Sequence, residues 1–367
     1  MSAQFLDISG RTPPGPLPWS PVKIPREEIE GEVERLATIP QPADGRRASL
    51  VVHPDSDGLG PGLAPGVDVT INVLKPGEQT TPVRHNASQV DIGIRGSGIV
   101  HVGEQDIRLA SRDVCNIPSM KGHSHRNDGD DLWVRLTYSN VPLLAKLGVH
   151  YFEDLSSDQL DRKSDRPERD PNGERYTRAN APDVEIGAGG ARLRGYEYLV
   201  DIEVVENKAH LWPWHEVSQH LRQQPGDGKR MIMVLYNPAT ERRTGTTHSF
   251  FVTAAVVPPG TPSPPRGRGH RHSSMAINYH FQGSGASVVD GELIEWRAGD
   301  LLLSAPGWSE HAHYWGFDGF GIFTVQDHPL HIGMESLVWQ EEMDGPILAL
   351  GSEPGQTGYV GPREAGE

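Results

Sequence analysis

The chain lacks the features that would place it in several broad classes. It carries one cysteine in 367 residues, Cys115, so no internal disulfide can form and a disulfide-stapled fold is excluded. Cys115 sits in the apolar run Val114-Cys115-Asn116-Ile117, where a buried, reduced thiol is expected rather than a nucleophile. Basic residues are outnumbered, 34 Lys+Arg against 49 Asp+Glu. The resulting formal charge of −15 argues against nucleic acid or an anionic membrane as a partner. No segment approaches the apolar length of a membrane span, and residues 1–7 lack the basic region and apolar run of an export signal. A soluble, cytoplasmic protein is expected.

Glycine and proline are abundant, 42 and 31 residues, and helix-period stretches are few, which predicts short strands joined by many turns. The length accommodates two domains, each with its own core. One pattern occurs twice. His85 and His272 are each followed, eleven residues on, by a glycine, in Gly96-Ser97-Gly98 and Gly283-Ser284-Gly285. Each copy continues with an acidic turn residue (Asp113, Asp300) and a proline (Pro118, Pro306). Five residues past each proline stands a His-x-His pair, His123-Ser124-His125 or His311-Ala312-His313. Two long segments in this register imply duplication of one unit. The Gly-Ser-Gly steps read as hairpin turns, not phosphate loops, because neither precedes a helix.

The chain divides accordingly. Residues 1–45 form a Pro-rich segment with a short amphipathic helix over Arg26–Leu36, and 46–150 the first strand-rich unit. Residues 151–227 are a charged connection, with a polar stretch at Ser157–Lys163 and a helix through Glu216–Leu221 after Trp212-Pro213-Trp214. Residues 228–345 form the second unit, opening on the strand Met231–Leu235 and the turn Asn237–Thr240, and 346–367 a loosely held tail. Short alternating strands with glycine turns predict an all-β chain with an antiparallel sandwich or barrel in each unit.

The chemistry concentrates in the second unit. In His270-Arg271-His272 the two imidazoles share one face of a strand, because alternate side chains do. His311, behind the turn Pro306-Gly307-Trp308, can close a three-nitrogen face around a divalent metal, leaving open coordination positions. The face from His270 runs on through His272, Ser274, Ala276, Asn278, His280 and Gln282. That polarity is abnormal for a packed core and predicts an interior holding a ligand, metal or water. The competing reading is an edge strand with solvated histidines; the recurrence of His311 at the matching place in the repeat weighs against it.

These residues resemble the cupin superfamily, and within it the bicupins of the gentisate and salicylate 1,2-dioxygenase group. The general signature of His-x-His, a later Gly, then Pro, Gly and His stands here as His270-Arg271-His272, Gly283 and Pro306 to His311. Narrower matches are Pro76-Gly77-Glu78, Tyr236-Asn237-Pro238-Ala239-Thr240, Trp308 and the run from His123 to Asp130. The resemblance covers roughly residues 46–340 and implies two jelly-roll barrels. Most cupins place a glutamate ligand where this chain has Ala276. The resemblance therefore implies the all-histidine Fe(II) site of the gentisate group rather than an oxalate decarboxylase-like site. It implies metal ligands His270, His272 and His311, with His313 and His280 as catalytic groups. Gln282, Asn278, Arg266, Arg268 and Trp308 are the candidate substrate contacts, while Trp296 and Trp315 read as barrel packing.

Two departures qualify this. In the group the better-formed iron site lies in the N-terminal barrel, but here Val83 stands where its first histidine belongs. His85, Gln89 and His123 could hold a metal weakly, and a degenerate barrel is the favoured reading. The group also carries an inward arginine six residues after the second histidine; those positions are Asp91 and Asn278. The expectation is a homo-oligomeric Fe(II) dioxygenase of extradiol or gentisate type, opening with O₂ the ring of a hydroxylated aromatic acid such as a substituted salicylate. The alternatives are a non-catalytic metal-binding bicupin and a quercetinase-like oxygenase acting on a phenol without a carboxylate.

Overall fold

The computed structural model describes residues 3, 5–16, 18–56, 58–155, 177–186, 189–222 and 231–358. The polar stretch Ser157–Lys163 and the end of the tail, 359–367, lie outside the described residues.

The two strand-rich units are two jelly-roll barrels. In the first, Arg47–Val51, Asp68–Leu74, Trp133–Ser139, Gln89–Arg95 and Val114–Ile117 lie side by side, and a second sheet holds Val83–His85, His123–Arg126, Ser97–Val102 and Gln105–Ala110. In the second, the long strands Met275–Val289 and His311–Gln326 pair with each other. Leu301–Pro306, Glu292–Arg297, Phe251–Val257 and Met231–Val234 extend that sheet.

The Gly-Ser-Gly steps are not hairpin turns, contrary to the sequence expectation. Gly283 and Gly285 lie inside the single strand Met275–Val289, and Gly96 joins strands of the two sheets of the first barrel. Gly96 (φ 67°) and Gly283 (φ 76°) take left-handed conformations, and a Cβ on Gly98 or Gly285 would strike the ring of Trp133 or Trp296. The duplicated glycines bend the backbone over a packed tryptophan. The two-residue hairpin turn of the second barrel is Asp290-Gly291, with φ of 47° and 87°.

The barrels are laced together by two exchanged arms. Strand Val22–Ile24 pairs with Leu301–Leu303 of the second barrel, and after Pro25 the helix Arg26–Thr38 packs on strands of the first. Strand Leu211–Trp212 pairs with Val114–Cys115 of the first barrel, and after Pro213 the helix Trp214–Arg222 packs on the second. Within the ranges 1–45 and 151–227, the segments Val22–Thr38 and Leu211–Arg222 thus pack onto the barrels. The repeated aspartates explain the arrangement. Asp300 accepts hydrogen bonds from Arg297 N in its own turn (3.0 Å) and from Arg26 N at the helix start (2.8 Å). Asp113 does the same with Ala110 N (2.9 Å) and Trp214 N (2.7 Å). Each carboxylate ties a turn of one barrel to the orphan N–H groups of the incoming helix.

Alanine at either aspartate is therefore expected to cost about 1–2 kcal/mol, seen as a fall of about 1–3 °C in Tm. Alanine at exposed Glu292 serves as the control. Unchanged melting of both aspartate variants would remove them from this role. One apolar core runs across the junction, from Ile29, Val33 and Leu36 through Ile71 and Leu136 to Ile277, Phe281 and Phe323. Cys115 is a buried free thiol, as expected, and burial pushes its pKa up.

Candidate metal centre

His270 and His311 form an isolated antiparallel pair. His270 N donates to His311 O (3.2 Å) and His311 N to His270 O (2.9 Å). A directly opposed pair sets two side chains next to each other on one face, and the ring centroids are 4.5 Å apart. Gly269 lies so close to the His311 backbone that a Cβ would not fit. His272, two residues on, returns to the same face with its ring 4.7 Å from that of His311. The ligating atoms of the three histidines lie within 4.8 Å of one another. Among the described residues this is the one such group of three or more metal-ligating side chains.

The hydrogen bonds select the tautomer. Nδ1 of His272 faces the Ser274 carbonyl at 2.8 Å, and Nδ1 of His311 faces the Ser309 carbonyl at 2.9 Å. A carbonyl only accepts, so each Nδ1 carries the proton and each Nε2 keeps its lone pair. Burial lowers the pKa of both, that of His272 far below the usual histidine value, with neighbouring histidines adding to the effect. Neutral imidazoles with one nitrogen tied to a carbonyl are what a divalent cation requires of histidine ligands. The residues present therefore fit a metal.

The three rings border a cavity of about 320 Å³. Asn278 and His280 line it, as the alternation from His270 predicts. Asn278 Nδ2 donates to Ser304 Oγ (2.7 Å), while its buried Oδ1 has no hydrogen-bond partner. His280 stacks on Trp296 at 4.0 Å with an 18° tilt. Its Nδ1 faces the Asp300 carbonyl at 3.4 Å and its Nε2 is without a partner. Burial takes its pKa down to about 3. His313 also lines the cavity, and Ser287 Oγ, which accepts from Trp296 Nε1 (3.1 Å), lies 2.8 Å from its Nδ1. Trp296 and Trp315 pack in the barrel and wall the cavity at once.

Four candidate substrate contacts are not brought to this cavity. Gln282 is exposed, because a bulge at Phe281 sets His280 opposite Ile322 and Gln282 opposite Gly321. One extra residue reverses the facing of all that follows. Arg268 is exposed and held by both oxygens of Glu310 (2.9 and 3.0 Å). Arg266 lies over the Tyr314 ring at 6.0 Å and borders a different, open pocket. Trp308 stacks on the Arg271 guanidinium at 4.6 Å and borders an apolar cleft. Alternation puts Arg271 on the face opposite its histidine neighbours, and Trp308 goes with it.

Sequence reasoning placed Ser274 on the ligand face without a role, and missed His328 and Trp339. Ser274 Oγ joins His272 Nδ1 (2.9 Å) to His328 Nδ1 (2.6 Å), and burial lowers the His328 pKa to about 3. His328 lies just past the cavity face of the last barrel strand, where Ile322, Thr324 and Gln326 alternate inward, and that alternation was a readable signal. Trp339 had none, since it lies beyond the repeat.

The first barrel holds a polar network in the corresponding place. Fully buried Asp91 accepts from Arg135 Nη1 (2.8 Å), Thr137 Oγ1 (2.6 Å) and Gln89 Nε2 (3.0 Å), and pairs with His125 Nε2 (2.9 Å). Gln89 Oε1 in turn meets His85 Nε2 at 3.0 Å. Burial would raise the Asp91 pKa, but the Arg135 charge and the bond to His125 hold it well below the usual carboxylate range. Burial, with Arg135 close by, lowers the His125 pKa to about 4. The unfolded chain takes up that proton near pH 6.5, so stability falls as pH drops from 6.5 towards 4, by about 3 kcal/mol from this group. Melting curves between pH 7 and 4 should therefore be shallower for His125→Gln than for wild type, and superposable slopes would refute the assignment.

Comparison with known proteins agrees with this architecture. The cupin domain family matches residues 71–138, in the first barrel. A 1-hydroxy-2-naphthoate 1,2-dioxygenase from a Nocardioides species is 26% identical over 305 residues, 80% of this chain and 72% of that protein. A gentisate 1,2-dioxygenase from a Haloferax species is 22% identical over 322 residues, 85% and 83% of the two chains. The salicylate 1,2-dioxygenase of Pseudoaminobacter salicylatoxidans superposes with a TM-score of 0.68 at 20% identity, covering 88% of this chain and 85% of that one. The chain therefore has the two-barrel fold of that salicylate dioxygenase, with a cupin domain match in its first barrel, and in sequence it is similar to gentisate and hydroxynaphthoate dioxygenases.

Proposed function

We propose that the chain is a non-haem Fe(II) dioxygenase that opens, with O₂, the ring of a hydroxylated aromatic acid of the gentisate and salicylate type. The observation that carries this reading is the convergence of His270, His272 and His311 at the wall of a cavity, with no carboxylate ligand beside them among the described residues. Ferrous iron held there would offer open coordination positions and a conduit for electrons from the aromatic ring to O₂, ending the cycle as Fe(II). Three uncharged ligands leave its double charge to be balanced by an anionic substrate, as a phenolate with an ortho-carboxylate would do. Of the extradiol and gentisate types expected from sequence, the 1,2-dioxygenase relatives favour the gentisate type, with scission between the carboxyl-bearing and hydroxyl-bearing carbons.

Each polar group then takes a role its bonds allow. His280 keeps its Nδ1 proton on the Asp300 carbonyl, so its Nε2 accepts a hydrogen bond from a substrate hydroxyl. With a pKa near 3 it orients substrate rather than carrying a proton. Asn278 Oδ1 is a second acceptor in the cavity. His313, adjoining His311 and set by Ser287, is the group we assign to proton transfer. The tryptophan and phenylalanine walls exclude water around the ring.

No Arg, Lys, Asp or Glu is among the described residues lining the cavity. That observation supports a second reading, an oxygenase for a phenol without a carboxylate. Anaerobic titration of the Fe(II) protein with salicylate, gentisate, 1-hydroxy-2-naphthoate and a flavonol, followed by O₂, separates the readings. O₂ uptake with a hydroxy acid supports the first and uptake with the flavonol alone the second. Retained iron with no uptake on any of them leaves a metal-binding protein. We further propose a cytoplasmic homo-oligomer. Strand Met231–Val234 ends its sheet and leaves Met233 and Val234 exposed although they wall the cavity, so a second copy is expected to cover them. Light scattering after gel filtration reads this, and a monomer would refute it.

A further inference from the structure

We infer that Trp339, on the strand that pairs with Arg271–His272, is a positioning residue that holds His270 for the metal. The inference rests on reading His270, His272 and His311 as the ligands. His272 and His311 are buried and tied to carbonyls two residues away on their own chain. His270 is half-buried. It follows the segment 258–269, which contains five prolines and three glycines and forms no strand or helix. The indole of Trp339 lies flat on the His270 ring, centroids 4.8 Å apart and planes 12° from parallel. The same indole meets His272 at 5.0 Å and 30°. One plate thus backs two of the three ligands.

The plate is itself fixed. Strand Val338–Gln340 pairs antiparallel with Arg271–His272, placing Trp339 opposite His272. Val338 N donates to Ser273 Oγ (3.1 Å) and Ser273 N to Val338 O (3.0 Å). Arg271 Nε donates to Gln340 Oε1 (2.7 Å), and Gln340 Nε2 donates to the carbonyls of Met343 and Gly345. The Trp339 indole N–H donates to Glu341 Oε2 (2.9 Å), and the side chain is 5% exposed. A ring so held limits the rotation of His270. Its electron-rich face also favours an imidazole made more positive by a bound cation over a free one. Both effects favour the metal-loaded state and neither requires contact between Trp339 and the metal.

Co(II), with its visible absorption, is the probe. Groups that orient a metal ligand typically change affinity 10–100-fold when removed. Trp339→Leu is therefore expected to weaken Co(II) binding by about that factor in competition with a chelator. Trp339→Phe, which keeps a ring on His270, is expected to lose several-fold less, although both variants lack the buried indole and its bond to Glu341 and melt below wild type without metal. A packing role would move the melting and spare the affinity, and that outcome overturns the inference. Equal losses in Trp339→Leu and Trp339→Phe overturn it as well. Trp339→Met replaces the leucine variant if that chain does not fold. His272→Ala is run alongside: if it binds Co(II) like wild type, the ligand set has failed. If it does not, unchanged affinity in Trp339→Leu counts against Trp339 alone.

Discussion

His272→Ala is expected to take the metal content from about one ion per chain to near zero and abolish ring cleavage, whereas His85→Ala leaves both untouched. The two residues occupy the same place in the repeat, so the contrast tests which barrel carries the chemistry. His272 faces two other imidazoles whose ligating nitrogens lie within 4.8 Å. A site of three neutral ligands that loses one keeps two, too few to hold a divalent ion against water. His85 instead spends its Nε2 on Gln89, in a barrel where Val83 stands in the first histidine's position. Metal analysis by emission spectroscopy and O₂ uptake measure the two effects. Iron retained by His272→Ala and lost from His85→Ala would invert the assignment.

The second large effect is expected on stability. Arg135→Met should destabilise the protein by about 3–5 kcal/mol, because it leaves the fully buried Asp91 carboxylate without its compensating charge. The double change Asp91→Leu/Arg135→Met removes both charges and should recover at least half of that loss. Iron content should stay at one per chain in both. Denaturant titration gives the three free energies, and a single variant within about 1 kcal/mol of wild type would show that the pair carries no such weight. The network also gives the first barrel's polar interior a reason to persist without a metal, since every oxygen of Asp91 is engaged.

Where the sequence spoke through alternation, it was legible. His270, His272, Asn278 and His280 do share a face, and His311 meets them, because period two holds while a strand stays regular. It fails at one residue, Phe281, where the bulge turns Gln282 outward. Bulges have no single-residue signature, so Gln282 could not have been separated from His280 beforehand. Arg266, Arg268 and Trp308 were placed near the ligands by proximity in sequence, which says nothing about facing. The repeated Asp113 and Asp300 were visible as a pattern, but their partners Trp214 and Arg26 lie 101 and 274 residues away. No local rule links such pairs, so the exchanged arms stayed hidden.

Those arms set a constraint on how the molecule is made. Val22 must wait for Leu303, about 280 residues further along. At 5–20 residues per second that is on the order of 15–60 s of synthesis, during which the first strand has nothing to bind. The second barrel made as a fragment without the amino-terminal arm would therefore lack one edge strand of its sheet.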